Sequence, residues 1–102
     1  MTEHIIIYTT FETDKQATDI GRALVEQGLA ACVNILPNMR SIYKWEGKTQ
    51  DAAEVVMLIK AKKDNYQQVE AEIKKLHSYQ NPCVIAWDIT HGSKEYLDWL
   101  GS

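Results

Sequence analysis

The segment AACVNILPNMRSIYKWEGKTQDAAEVVMLIK, which spans residues 30–60, contains two strand-like runs. Residues 39–46 read as a strand, and Tyr43 and Trp45 share one face because successive side chains of a strand point to opposite sides. Pro37 interrupts this run, and a proline is tolerated in a sheet only at an edge strand or a bulge. The first run therefore predicts a long strand with one irregularity near Pro37.

The second run returns alongside the first and completes a β-hairpin. Residues 46–48 (EGK) supply a turn, and residues 54–60 (EVVMLIK) are almost wholly apolar and of high strand propensity. The hairpin exceeds the usual strand length of about 5–6 residues, and a chain of 102 residues has no core deep enough to cover it. Tyr43 and Trp45, near its tip, are then exposed, and an exposed aromatic edge favours pairing with another chain. We interpret the hairpin as an arm that joins subunits.

Length, composition and charge predict a single globular domain, residues 1–102. Hydrophobic residues make up 45% of the chain and charged residues 25%, which are ordinary globular values. The formal net charge is −3 and the basic residues are scattered, which disfavours nucleic acid as a partner. No apolar run approaches the roughly 20 residues of a membrane span, and residues 1–10 lack the features of a signal peptide. We therefore expect no membrane partner and a cytoplasmic location.

The rest of the chain alternates strand-like and helix-like segments. A first strand at 4–10 is followed by a helix that begins at a capping box of Thr13 and Gln16 and ends at Gly28. After the hairpin, Asp64 caps a second helix. A last strand at 83–89 and a short C-terminal helix at 94–100 complete the chain. With the hairpin, the order is β-α-β-β-α-β followed by a helix. This order predicts an α+β fold, a ferredoxin-like sandwich with strand order 4-1-3-2 built by two right-handed crossovers onto parallel neighbours.

The predicted strand order separates the two cysteines. Cys32 is on the second strand and Cys83 is on the fourth. These strands are the two edges of the sheet, roughly 14 Å apart at a spacing of about 4.8 Å per strand. A disulfide requires Cα atoms within about 7 Å. We therefore expect no disulfide within the chain.

Several motifs resemble those of the CutA divalent-cation tolerance family, in order and at similar spacing along essentially the whole chain. They are residues 30–34 (AACVN), 41–48 (SIYKWEGK), 54–60 (EVVMLIK), 76–82 (LHSYQNP) and 96–99 (YLDW). The resemblance implies a subunit similar to the PII signalling proteins and a homotrimer whose sheets join edge to edge, with the hairpin reaching onto a neighbour. It also implies that the protein binds Cu²⁺ or another divalent cation and uses no organic cofactor. A protein partner, which the sequence does not identify, is compatible with this resemblance.

The candidate metal ligands are His77 and Cys32. Imidazole nitrogen suits Cu²⁺, and thiolate suits softer ions. Some metal-binding members of the family carry a cysteine at the end of the first strand and consecutive histidines at the end of the second helix, where this chain has Tyr8 and Leu76. One imidazole does not make a selective site, so a neighbouring subunit would have to supply other ligands. The alternatives are a histidine that interacts with the helix dipole and a cysteine that packs as a small apolar side chain.

A second set of residues combines aromatic rings with a few charges, the mixture that a small-ligand pocket requires. Burying the Lys60 ammonium is costly unless it is paired, and Glu54 lies too far along the same strand to pair with it, so another chain or an anion would be the partner. Two interpretations stay open for the aromatic residues, an interface core and a ligand-binding cleft between subunits. The cleft residues are Tyr43, Trp45, Glu54, Lys60 and Tyr79, together with His77.

The sequence carries no motif that indicates catalysis. The G-x-S-x-G, H-E-x-x-H and P-loop strings are absent, and the loop at residues 9–13 (TTFET) has no basic residue for a phosphate. We therefore expect that the protein is not an enzyme. Two functions remain: a trimeric divalent-cation tolerance protein that binds copper or another divalent metal ion, and a PII-like sensor that binds a small anionic ligand in the cleft between subunits.

Overall fold

A computed structural model describes residues 3–102 of the protein. These residues form strands and helices in the predicted order, and the boundaries of the first and last strands differ from the predicted ones by one residue. The elements are β1 (His4–Phe11), α1 (Asp14–Glu26), β2 (Cys32–Trp45), β3 (Lys48–Lys62), a 3₁₀ turn (Lys63–Asn65), α2 (Tyr66–Leu76), β4 (Val84–Asp88) and α3 (Lys94–Leu100).

The four strands form one sheet in the order β2-β3-β1-β4, which confirms the predicted order 4-1-3-2. Every neighbouring pair is antiparallel. The expectation of parallel neighbours was wrong, because β3 lies between β1 and β2, and β1 lies between β3 and β4. The two strands that each crossover helix connects therefore do not pair with one another. The result is a ferredoxin-like α+β fold.

The β2–β3 hairpin pairs from Cys32 opposite Lys60 to Trp45 opposite Lys48, with a register shift between Leu36 and Met39. This shift contains the predicted irregularity. At the tip, Glu46 and Gly47 both have positive φ, 52° and 79°, as a type I′ turn requires. We predicted the returning strand over residues 54–60, but it begins at Lys48, because the polar residues 48–53 pair with β2 although they carry little apolar pattern.

The hairpin gives the molecule an elongated shape of 45 × 25 × 23 Å. Strands β2 and β3 have 14 and 15 residues, well above the usual length of about 5–6. Tyr43 and Trp45 keep 46% and 42% of their surface exposed, as we expected from the sequence. The distal half of the hairpin is therefore uncovered by the rest of its own chain.

Helices α1 and α2 cover one face of the sheet and form the core with it. Ile7, Met57 and Ile59 from the sheet are fully buried with Leu24 of α1 and Ile73 of α2. Because side chains alternate along a strand, the even-numbered residues of β3 point to the opposite face. That second face carries the candidate site, and α3 contacts it at one end.

The helix ends show which local sequence signals correctly predicted where a helix begins or ends. Thr13 accepts a hydrogen bond from the backbone N–H of Gln16, so the predicted cap of α1 is confirmed. Gly28 has φ +73° and ends α1 as predicted, with its N–H donating to Val25 O. The predicted cap of α2 was wrong. Asp64 belongs to the 3₁₀ turn, and α2 begins after Asn65 without a side-chain cap.

Candidate functional site

The candidate residues on β3 lie at opposite ends of the open face of the sheet. Glu54 and Lys60 have the same orientation on the strand, because they are separated by an even number of residues. At about 3.4 Å per residue, roughly 20 Å separates them along β3. Within one chain, the structure therefore divides the predicted cleft into a Glu54 end and a Lys60 end.

The Glu54 end is a groove with a volume of about 730 Å³. It brings together Glu54 and the aromatic residues Tyr43, Trp45 and Tyr79, which we expected to converge from the sequence. It also contains residues that sequence reasoning did not place there. The groove is lined by Tyr8, Thr10, Met39, Arg40, Ser41, Ile42, Tyr43, Trp45, Glu54, Tyr79, Gln80, Asn81 and Cys83.

A short hydrogen bond joins Glu54 to Tyr79 at the base of this groove. The Tyr79 hydroxyl donates to Glu54 Oε2 over 2.7 Å, and only 8% of Glu54 is exposed. Burial raises the pKa of Tyr79 far above its ordinary value, and the hydrogen bond to Glu54 and the charge of Glu54 raise it further. Tyr79 is therefore a neutral hydrogen-bond donor at physiological pH.

His77 holds the segment that carries Tyr79 against the sheet. The Tyr79 backbone N–H donates to His77 Nδ1 over 3.0 Å, and His77 Nε2 lies 2.7 Å from the Thr10 carbonyl oxygen. Because a backbone N–H can only donate and a carbonyl can only accept, these contacts define the neutral tautomer with its proton on Nε2. The ring also stacks on Phe11 at a centroid distance of 4.7 Å. Both ring nitrogens of His77 therefore have partners in the chain.

The Lys60 end is built by β2, β3 and α3. Lys60 Nζ donates to the Tyr96 hydroxyl over 3.1 Å and lies 5.2 Å from the centroid of that ring. Cys32 Sγ lies 3.8 Å from the same hydroxyl. The hydrogen bond with Tyr96 raises the pKa of Lys60. Tyr96 is the partner that sequence reasoning missed, since the pattern of the C-terminal helix marked it only as a packing residue.

Lys60 has no ionic partner in the part of the chain that the structure describes. Its hydrogen-bond acceptor, the Tyr96 hydroxyl, is uncharged. An ammonium gains more from an anionic partner than from a neutral one. The Lys60 end can therefore accept a negatively charged group from outside the chain.

The residues of one chain do not fit a metal ion. Residues 3–102 contain no group of three or more His, Cys, Asp or Glu side chains arranged to hold one. His77 contacts Thr10, which pairs with Val56, whereas Cys32 pairs with Lys60 at the other end of the face. A metal ion on His77 would also displace one of its two hydrogen bonds. The metal-ligand roles of His77 and Cys32 stay predictions.

The two cysteines are free thiols at opposite edges of the sheet, Cys32 on β2 and Cys83 directly before β4. Cys83 lines the Glu54 groove, and burial, followed by the charge of Glu54, raises the pKa of its thiol. Sequence reasoning placed Cys83 on the fourth strand and did not include it among the cleft residues. The alternation of side chains from Cys83 into β4 could have shown which face of the sheet Cys83 is on. It could not have shown that Cys83 lines the groove.

The fold and the groove define a ferredoxin-like protein with an aromatic, carboxylate-bearing pocket on its open face. Comparison with known proteins gives the same family along nearly the whole chain. A sequence model of the family described as CutA1 divalent ion tolerance protein matches residues 5–102. The chain belongs to this family, which confirms the resemblance seen in the sequence.

Individual relatives match over nearly the full length of both chains. The divalent-cation tolerance protein CutA of Archaeoglobus fulgidus is 42% identical over 97 residues, which cover 95% of this chain and 94% of the relative. The protein of the same name from Thermus thermophilus is 39% identical over 95 residues, covering 93% and 92%.

Solved structures of the family have the same fold. The divalent cation tolerance protein from Thermus thermophilus superposes with a TM-score of 0.93 at 38% identity, over 96% of this chain and 95% of that one. CutA1 from Oryza sativa superposes with a TM-score of 0.94 at 35% identity, over 97% and 91%.

The names of relatives point to more than one compartment. The Archaeoglobus fulgidus structure is titled a periplasmic protein, and an Arabidopsis thaliana relative, of which this chain spans 53%, is named chloroplastic. In residues 3–102, no helix combines the length and the apolar character needed to cross a membrane. The predicted cytoplasmic location therefore stays a proposal.

Tyr79→Phe tests the hydrogen bond to Glu54. At neutral pH, we expect the free energy of unfolding to fall by about 1–3 kcal/mol, because the carboxylate loses a donor while it stays buried. The raised pKa of Tyr79 also predicts a pH effect. The unfolded chain releases this proton near pH 10 and the folded chain only at higher pH, so the stability that this shift contributes is lost progressively above about pH 10.

Without Tyr79, this alkaline loss should become less steep by up to about 1.4 kcal/mol per pH unit. Urea unfolding at several pH values from neutral to alkaline measures both effects. Tyr43→Phe, at an exposed tyrosine of the same groove, is the control at neutral pH. Equal stability of wild type and Tyr79→Phe at neutral pH would contradict the role given to this hydrogen bond.

Proposed function

We propose that this chain is a non-catalytic, homotrimeric, cytoplasmic divalent-cation tolerance protein with one domain over residues 1–102. In this proposal it binds Cu²⁺ or another divalent metal ion through ligands from more than one subunit. Family membership over residues 5–102 supports the link to divalent cations. The main observation in favour of a homotrimer is that the distal half of the hairpin is not covered by its own chain.

Exposed apolar side chains support an assembled state. Monomeric proteins rarely leave large apolar patches in water. Here several of the exposed residues are on the hairpin and on the edge strand β4, with Ile42 67% exposed and Trp87 47% exposed. Both edges, β2 and β4, are also free to pair with strands of another chain, as edge-to-edge assembly requires. The large exposed apolar residues of these elements and of α3 are Leu36, Ile42, Tyr43, Trp45, Ile85, Trp87, Tyr96 and Trp99.

The Trp45→Ala variant tests the trimer. We expect wild-type protein to sediment as a trimer at micromolar concentration, and Trp45→Ala to weaken association by about tenfold or more, since truncation of a buried interface tryptophan typically costs about 2 kcal/mol or more. Lys44→Ala, at the adjacent position on the other face of the strand, is the matched control. A wild-type protein that is folded and monomeric at micromolar concentration would refute the trimer.

The absence of a three-ligand cluster in residues 3–102 supports a metal site shared between subunits. A divalent ion such as Cu²⁺ requires several nitrogen, sulfur or oxygen ligands in a defined geometry. One subunit offers His77 and Cys32 at separate places, so only a neighbouring chain can complete a ligand set around either residue. Metal affinity is therefore linked to assembly in this proposal.

Titration of metal-free protein with Cu²⁺ tests the metal site. We expect His77→Ala or Cys32→Ala to lower the affinity by at least tenfold if that residue is a ligand, and His91→Ala, at an exposed histidine, to leave it unchanged. Calorimetry on the assembled protein measures this, with Zn²⁺ as a second ion because Cu²⁺ binds most sites more tightly. Unchanged affinity in both variants would exclude His77 and Cys32 as ligands.

A second function, a PII-like sensor of a small anionic ligand, rests on Lys60. Lys60 is a partly buried residue, and its ammonium has the neutral Tyr96 hydroxyl as its hydrogen-bond acceptor. An anion near Lys60 would form a charge-assisted hydrogen bond, which is stronger than a neutral one. The Lys60 end therefore favours a carboxylate or phosphate, supplied by a metabolite or by a neighbouring subunit.

Lys60→Ala separates the sensor from the tolerance protein. We expect a nucleotide or a dicarboxylic acid to bind the wild-type trimer and to lose at least tenfold in affinity with Lys60→Ala, because the charge-assisted hydrogen bond is removed. Lys62→Ala, an exposed lysine at the end of the same strand, is the control. Calorimetry with the trimer verified by light scattering gives the result. Failure of every nucleotide and carboxylate tested to bind would exclude the sensor.

A further inference from the structure

We propose that a β-bulge at residues 37–38 fixes the direction of the distal half of the hairpin, and that this direction determines whether the chain can assemble with copies of itself. The proximal half pairs residues 32–36 with 56–60, and the distal half pairs residues 39–45 with 48–54. The inference rests on the proposed homotrimer and adds the feature of the single chain that directs its assembly.

The bulge adds one residue to β2. On one side of it Leu36 pairs with Val56, and on the other side Met39 pairs with Glu54. Residues 37–38 of β2 therefore lie opposite a single residue of β3. An extra residue of this kind bends its strand and increases the local right-handed twist. The distal half consequently leaves the sheet in a direction that the bulge determines.

The bulge also reverses the alternation of side chains along β2. Before it, the even-numbered Cys32 and Leu36 pair with even-numbered residues of β3. After it, the odd-numbered Tyr43 and Trp45 pair with even-numbered residues of β3. Directly paired residues of two antiparallel strands lie on the same face. Because the bulge takes up the extra residue, Tyr43 and Trp45 are on the open face of the sheet, where they can contact another copy.

The bulge lies where the hydrophobic core ends. On β2, Val33 and Ile35 precede the bulge and pack against the core. On β3, residues 54–57 are buried, whereas residues 48–53 are exposed or half-buried. A bend at this boundary changes the direction of the distal half and leaves the packing of the core in place.

Two backbone restraints keep the bulge at this position. Pro37 has no N–H to donate to the ladder, and prolines in sheets are confined to edge strands, strand starts and bulges. Asn38 has a φ of 64°, in the left-handed region, which asparagine enters more readily than most residues other than glycine. These two residues therefore favour a bulge over uninterrupted strand pairing.

Beyond the bulge, the distal half is held as one body. The Arg40 guanidinium donates to both carboxylate oxygens of Asp51 on the opposite strand, over 2.7 and 2.6 Å. At the tip, Glu46 and Gly47 close the hairpin with positive φ values of 52° and 79°. A change of angle at the bulge is therefore transmitted to the tip and is not absorbed along the strands.

The length of the distal half amplifies a small change of angle. At about 3.4 Å per residue, residues 39–45 span roughly 20 Å, so a change of about 15° at the bulge would move Trp45 by roughly 5 Å. The cores of protein interfaces pack about as densely as protein interiors, and a displacement of that size removes their contacts. The bulge therefore determines whether the aromatic residues near the tip fit against a second copy.

Deletion of Asn38 tests the direction of the distal half and keeps its faces. Pro37 alone then lies opposite one residue of β3, so the pairs on both sides are retained and Tyr43 and Trp45 stay on the open face. We expect the wild type to sediment as a trimer at micromolar concentration and the deletion variant to associate at least tenfold more weakly. Association of the folded deletion variant equal to that of the wild type would overturn the proposal.

Asn38→Gly is the matched control, because glycine takes a positive φ without strain and keeps the bulge. It should sediment as the wild type does. Asn38→Val is a second test at full chain length, because a β-branched residue disfavours a positive φ. We expect Asn38→Val to associate at least fivefold more weakly than Asn38→Gly, with unchanged far-ultraviolet circular dichroism. Equal association of these two variants would refute the role of the bulge, even if the deletion variant does not fold.

Nuclear magnetic resonance distinguishes a change of direction from a loss of structure. Cross-strand nuclear Overhauser contacts between residues 39–45 and 48–54 should persist in the weakened variants. A weakened variant without these contacts would assign the effect to loss of the ladder and would count against the proposal.

The wild-type measurement separates this inference from the proposed function. A folded, monomeric wild type would refute the homotrimer and the inference that rests on it. A trimeric wild type with unchanged variants would leave the homotrimer standing and refute the role of the bulge alone.

Discussion

The pairing of β2 with β3 is the constraint on which the rest of the structure depends. This ladder runs from Cys32 opposite Lys60 to Trp45 opposite Lys48, and it is the longest in the sheet. Its proximal half lies over the helices and contributes to the core, whereas its distal half has no cover from its own chain. A single hairpin therefore creates both the hydrophobic core and the exposed aromatic tip. A shift of register by one residue would move Glu54 to the core face and Val55 out of it, so core packing fixes where the site residues point.

The Glu54 groove shows how a buried carboxylate is tolerated in this fold. The segment after α2 is held by His77, whose two ring nitrogens bond the backbone of β1 and of Tyr79. That anchoring places the Tyr79 hydroxyl against Glu54. Burial of a carboxylate is costly without donors, so the position of His77 matters for the groove through Tyr79 and not by direct contact with Glu54. The histidine is a positioning residue in this arrangement, which also explains why its neutral tautomer is required.

The sequence was sufficient to predict those features of the fold that depend on neighbouring residues alone. Alternation along 39–46 and the glycine of the turn predicted the hairpin, and Thr13 and Gly28 predicted the ends of α1, because turns and caps depend on nearby residues. Asp64 failed as a cap because the chain enters α2 through a 3₁₀ turn. In that turn, the Asn65 side chain donates to the Leu29 carbonyl oxygen, a contact that no local pattern encodes.

The site was harder to predict, because its contacts connect residues that are far apart in sequence. Glu54 and Tyr79 are 25 residues apart, and Lys60 and Tyr96 are 36 residues apart. The residue types indicated a pocket of mixed aromatic and charged character, and the structure contains one. The strand pattern already put Lys60 and Glu54 too far apart for contact, but it could not show that α3 reaches across the sheet and supplies Tyr96 as the partner of Lys60. Long-range packing, and not residue type, supplies the partners of both residues.

Metal binding and assembly are linked in the proposed function. A metal ion that requires ligands from two chains binds only the assembled protein, and its stabilisation of the assembly therefore grows with the logarithm of its concentration over its dissociation constant once that ratio is well above one. Metal affinity should therefore vary with protein concentration near the dissociation range of the trimer. That dependence distinguishes a site shared between subunits from a site that a single chain completes.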